Sequence, residues 1–184
     1  VVDVHEVAMG STSKQNSNTG DYGVLSSDMY YTDYLQKKGN KWKIMSTEIK
    51  SEKVILKYGE AKNMPIDVYA PHLIPANTDY DVTVKLSSPD GVMVIGSITN
   101  EQILYPQVQK KDVYKPFKSD ELSRVLKSNT DGNNEYATVT VGITRVSLEP
   151  PKISFGMTGI AFVMSRINVY NHKITNSSGG ANEK

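Results

Sequence analysis

The sequence predicts an all-β protein: a small N-terminal antiparallel sheet over residues 1–58, a β-sandwich over 65–170, and one short helix. Three observations carry that expectation. Apolar and polar residues alternate with a period of two through most of the 184 residues, the spacing that turns one face of a strand to a core and the other to water. Clusters of Gly, Pro, Asn and Asp separate those runs at the intervals of a sandwich. Helical periodicity is confined to a single segment.

The first strand pair is Tyr30–Ile49, YYTDYLQKKGNKWKIMSTEI. Lys37-Lys38-Gly39-Asn40 supplies the positive-φ residues of a hairpin turn, and beyond it Trp42 and Ile44 share a face while Lys41 and Lys43 take the other. Ser11–Gly20, STSKQNSNTG, lacks alternation and reads as a polar loop. Glycine, charge and proline interrupt the pattern across Tyr58–Pro65, which marks the seam between the two modules. Tyr80–Leu86 is the clearest strand, with Tyr80, Val82, Val84 and Leu86 inward and Asp81, Thr83 and Lys85 outward. Pro89-Asp90-Gly91 turns the chain into a returning strand, Val92–Thr99.

Ser119–Lys127, SDELSRVLK, is the expected helix. Ser119 serves as its cap, Asp120 and Glu121 occupy the first turn, and Leu122, Val125 and Leu126 form the apolar stripe. Tyr136–Ile143 returns to strand, with Ala137, Val139, Val141 and Ile143 on one face. Ile153–Tyr170 is expected as two strand segments bent at Gly156 and Gly159. Asn171–Lys184 reads as a disordered tail.

Two stretches carry family likenesses. PIDVYAPHLIPANTDYDVTVKLSSPDG presents an extended strand, a proline-marked loop and a clean second strand, and so resembles an immunoglobulin-like or fibronectin-type-III-like sandwich over residues 65–170. The likeness implies a sandwich geometry and no particular activity; the Cys…Trp…Cys core of antibody domains is absent. DYGVLSSDMYYTDYLQKKGNKWKIMSTEI resembles the last strands of SnoaL-like (nuclear-transport-factor-like) proteins through Tyr31, Asp33, Gly39, Lys41, Trp42, Lys43 and Ile44. That resemblance implies a conical pocket beneath Trp42, closed in the family by helices that precede the sheet. Those helices would lie before Val1, and a chain opening on Val is expected to have lost a leader or an upstream segment.

Composition narrows the chemistry. The chain has no cysteine, which removes disulfides, thiolate zinc sites, iron–sulfur clusters and cysteine nucleophiles. With 21 basic and 20 acidic residues it has no basic field to attract nucleic acid. No apolar run approaches the length of a membrane span. His5, His72 and His172 share no metal-ligand spacing, and neither a phosphate-binding loop nor a nucleophile elbow is present. Asp79 and Asp81 fall on an outward face.

Asn129, Asp131, Asn133 and Glu135, in NTDGNNE, place oxygens at alternate positions around Gly132, as calcium loops begin. The same residues also make an ordinary polar turn, and Thr140 stands where such a loop would end in glutamate. Tyrosine is heavily used, eleven residues against three Phe and one Trp. Tyr30, Tyr31, Tyr34 and Trp42 are therefore candidate ligand contacts, Tyr30 and Tyr34 on one face and Tyr31 on the other. The expected function is a non-catalytic binding or assembly module of an extracytoplasmic protein, without cofactor. Its partner would be a protein or carbohydrate, met through these strands and the polar loops 71–77, 107–116 and 129–135. Free sheet edges offer a route to homo-oligomers, and a small-molecule or enzymatic pocket beneath Trp42 is the alternative.

Overall fold

Alternation of the kind described above becomes two antiparallel sheets. The computed structural model describes residues 1–88, 91–102, 113–117, 119–149 and 151–171. Its strands are β1 (Val2–Gln15), β2 (Tyr22–Lys38), β3 (Lys41–Gly59), β4 (Ile66–Tyr69), β5 (Leu73–Pro75), β6 (Asp79–Leu86), β7 (Val92–Gln102), β8 (Lys115–Pro116), β9 (Glu121–Lys127), β10 (Glu135–Glu149) and β11 (Lys152–Tyr170). The large sheet runs β1-β2-β3-β11-β10-β7-β8, with β5 added in parallel to β11; the small one runs β4-β6-β9. The protein is all-β, and its one helical element among the described residues is a 3₁₀ turn, Glu60–Asn63.

The core lies between the sheets. Val82 and Val84 of β6 face Ala137, Val139, Val141 and Ile143 of β10 and Ala161, Val163 and Ile167 of β11, all without measurable exposure. These are the alternating small and β-branched residues that a pleated, two-sided layer packs best. None of the fully buried apolar side chains comes from β1, β2 or β3; Ile55 alone reaches the edge of the cluster from there. The first three strands are nevertheless hydrogen-bonded into the same sheet, because Lys53–Gly59 of β3 pairs with Gly159–Ser165 of β11.

The expected seam is a packed corner. Ala61 and Met64 are buried in the core, and the chain turns at Gly59, whose φ of 55° and close approach to the Thr158 carbonyl exclude a side chain. Two lysines then seal the outer edge of β4: Lys57 Nζ donates to the Met64 carbonyl at 2.6 Å and Lys53 Nζ to that of Val68 at 3.4 Å. An edge strand that would offer free carbonyls is thereby blunted.

Three expectations are corrected. Ser119–Lys127 contains a strand in place of a helix: Glu121–Lys127 pairs residue by residue with Asp79–Lys85 of β6, leaving Leu126 buried and Val125 in solvent. A seven-residue segment gains little from an isolated helix, whereas the open edge of β6 takes up the backbone groups on one side of the strand. Part of the loop expected over Ser11–Gly20 is strand as well. β1 extends to Gln15 through an irregular register, held by the Gly23 N–H donating to Thr12 Oγ1 at 2.8 Å. Lastly, β11 is one strand of 19 residues whose bend is a bulge at Thr158, opposite Ile143–Thr144. The tail from 172 onward lies outside the described residues, as do Pro89, Asp90 and most of the 107–116 loop.

Candidate groove between the third and fifth strands

β11 changes partner along its outer edge. Up to Ser165 it is paired with β3; from Asn168 it is paired with β5. β3 continues past this point toward the Gly39 turn, so the two strands fork. The fork holds an open groove of about 640 Å³, whose lining includes Glu48, Lys50, His72, Leu73, Arg166 and Asn168.

Asn168 ties the fork together. Its Nδ2 donates to the carbonyls of Ile49 at 3.1 Å and Lys50 at 2.9 Å. Its Oδ1 accepts from Arg166 Nε at 3.0 Å, and its backbone N–H donates to the His72 carbonyl. One amide thus spans the gap that β3 leaves when it departs from β11. On the β3 wall, Glu48 accepts from the Tyr34 hydroxyl at 2.8 Å and lies 2.6 Å from Lys50 Nζ. Lys50 first and Tyr34 second hold the Glu48 carboxyl below the usual carboxylate range. Glu48 in turn raises Lys50 and pushes the Tyr34 hydroxyl up.

These shifts move each pKa farther from neutral pH. A general acid or base works best when its pKa lies near the operating pH; here the carboxylate and the ammonium are both fixed as ions. The groove therefore presents a negative and a positive charge on one wall, and its lining also includes Arg166, whose guanidinium lies 3.8 Å from Glu52. Such a set binds polar groups and orients them.

The loops 71–77 and 129–135, named as contacts from sequence, meet at this end of the molecule. Asn77 N–H donates to the Asn129 carbonyl at 2.9 Å, and Ser128 N–H to that of Thr78. Asn134 Oδ1 accepts the Val169 N–H of β11 at 3.0 Å, and Asn134 also lines the groove. The third loop contributes only Val113–Pro116 to the described residues, and β8 pairs far from here, with Ile95 and Gly96.

The aromatic set divides between faces. Tyr30 lies flat on His5, ring centroids 4.0 Å apart, with His5 Nε2 3.0 Å from Asp28. Tyr34 shares that face and meets the groove through its hydrogen bond to Glu48. Tyr31 points to the opposite face and donates to Glu6. Trp42, opposite Lys37 in the hairpin register, lies on the face of Tyr31 and is 65 % exposed.

The proposed calcium residues are turned to another use. Asn129 Oδ1 accepts the N–H groups of Asp131 and Asn133. Glu135 is 1 % exposed and is surrounded by donors. Oε1 accepts from the Tyr80 hydroxyl at 2.8 Å and Asn100 Nδ2 at 3.2 Å, and Oε2 from Asn129 Nδ2 and N. The carboxylate braces the loop from beneath, and its lone pairs are occupied by protein. No cluster of three or more His, Asp or Glu suited to a metal exists among the described residues.

Comparison with known proteins returns no matching family model, no matching curated protein and no matching solved structure.

Sequence reasoning missed Glu48, Lys50, Arg166 and Asn168 as a group. Ile49 and Asn168 are 119 positions apart, and only the β3–β11 pairing joins them. The nearest local signal was an asparagine between two β-branched residues in INV, Ile167–Val169.

Proposed function

We propose that the chain is a non-catalytic binding module, extracytoplasmic in setting, which takes a polar protein segment or carbohydrate in the fork between β3 and β5. One observation carries the reading: Glu48, Lys50 and Arg166 converge on one groove, with Glu48 and Lys50 held as ions. Fixed charges of both signs suit sugar hydroxyls or peptide groups, and loops on a rigid sheet are the usual bearers of recognition. Probing glycan and peptide arrays with the chain tests the proposal. The expected result is a discrete set of ligands lost in both Glu48→Gln and Lys50→Gln, each at a half-exposed position and each with an unchanged unfolding midpoint. Silence on both arrays, or hits indifferent to the two variants, refutes it.

The sandwich-like and SnoaL-like likenesses belong to this reading only as context. A small-molecule site beneath Trp42 has one observation in its favour: Leu35, Ile44 and Trp42 share a face, and Ile44 and Trp42 are exposed there. Quenching of the single tryptophan's fluorescence by an apolar ligand would support that alternative.

A further inference from the structure

The β2–β3 hairpin carries a charged and apolar tip that the groove does not use. Between Tyr34 and Thr47 the chain has four lysines and no acidic residue, although the whole sequence has a net charge of only +1. The nearest acids, Asp33 and Glu48, stand at the base of the hairpin, where Thr47 Oγ1 and Lys50 Nζ bind them. None of Lys37, Lys38, Lys41 and Lys43 has an ion-pair partner among the described residues. Every residue from Gln36 to Glu48 is exposed, and past Asp33 the two strands pair only with each other among the described residues. The tip is also amphipathic. Register sets Leu35 opposite Ile44 and Lys37 opposite Trp42 on one face, and Gln36 opposite Lys43 and Lys38 opposite Lys41 on the other. Trp42 and Ile44 are both more than half exposed, as is Met45, the extra residue of the bulge that follows them.

From this we infer that the hairpin tip docks on an anionic lipid surface, with Trp42 and Ile44 inserted at the boundary between headgroups and acyl chains. Charge and apolar groups together select that occupant. Lysine stems lie along apolar surroundings while their ammonium groups reach out to phosphates, and each lysine near an anionic bilayer strengthens adsorption about fivefold. Tryptophan beside aliphatic residues settles at headgroup level. A single-stranded nucleic acid would engage the lysines and the indole, but its bases stack on aromatic rings and leave Leu35, Ile44 and Met45 without a role. A flat protein partner would cover one face of the ribbon, whereas lysines stand on both; a headgroup layer surrounds them all.

Vesicle co-sedimentation, read together with the emission of the chain's one tryptophan, tests the inference. The chain should bind vesicles of phosphatidylcholine containing about 30 % phosphatidylglycerol, with a blue shift of the emission, and should leave pure phosphatidylcholine vesicles unbound. Lys41→Gln and Lys43→Gln combined should weaken binding by roughly tenfold or more. Ile44→Ser should weaken it several-fold and reduce the blue shift. These positions are exposed, so the unfolding midpoint should stay unchanged in both variants. Any one of three results overturns the inference: no binding to the anionic vesicles, binding indifferent to the lysine variant, or binding without an emission shift that also ignores Ile44→Ser. Capture of a single-stranded oligonucleotide in place of the vesicles would assign the tip to nucleic acid and also refute it.

Discussion

Replacing Tyr80 by Phe removes one hydroxyl from the buried network around Glu135 and changes little else. That hydroxyl donates at 2.8 Å to a carboxylate with 1 % exposure. A hydrogen bond to a charged acceptor contributes about 1.5–3 kcal/mol. Asn100 remains on the same oxygen, so the loss should fall near the middle of that range, about 2 kcal/mol. For a chain of this size the midpoint of thermal unfolding should drop by roughly 4–8 °C. Urea unfolding followed by circular dichroism measures the loss directly, and the slope of the transition should not change because the exposed surface does not. Glu135→Leu strands the Tyr80, Asn100 and Asn129 donors together and should cost more, about 3 kcal/mol or above. The double variant should be far from additive. A loss below about 0.5 kcal/mol for Tyr80→Phe, within the scatter of surface substitutions, would refute the claim that this network braces the 129–135 loop.

Further outcomes follow from the same geometry. Burial first, and the Glu135 hydrogen bond second, push the Tyr80 hydroxyl far above the ordinary tyrosine range. The folded state thus keeps a proton that the unfolded chain loses, so stability should fall as pH rises above about 10, and Tyr80→Phe should flatten that decline. Burial lowers the Lys57 ammonium. Here the folded state binds fewer protons than the unfolded one, so this group should make the protein more stable as pH approaches 10.5 from below, a slope that Lys57→Met removes. Ile143→Ala, at a site with no exposure, should cost about 2–5 kcal/mol by urea unfolding. Gly59→Ala forces a side chain onto a φ of 55° and against the Thr158 carbonyl; a loss of about 2–4 kcal/mol is expected from calorimetry.

Much of the architecture is legible in the chain because alternation and burial coincide. Val82 and Val84 in β6, and Ala137 to Ile143 in β10, sit on the faces that period two assigns them. The Gly39-Asn40 turn is likewise readable, with Gly39 alone of the pair at positive φ. The segment 121–127 is not legible, because Leu122, Val125 and Leu126 fit a helical stripe while two of the three also fit a strand; the neighbouring edge of β6 decides between them. The groove was legible only in part. Its loops announce themselves through Asn, Pro and Gly, and Tyr34 through its neighbours. The charges opposite come from strands whose pairing spans most of the sequence, and no local pattern encodes that meeting. Glu135 reads, with its turn-forming neighbours, as part of a calcium-loop start or a polar turn; its burial under the Tyr80 hydroxyl, 55 positions away, has no local signal.

A residue-resolved titration addresses the binding surface most directly: amide chemical shifts of the labelled chain against the tightest glycan or peptide found on the arrays. Shifts concentrated at 46–50, 72–73 and 166–170 are the predicted result. Shifts confined to the tip around Trp42, or none at saturation near the fork, would contradict it.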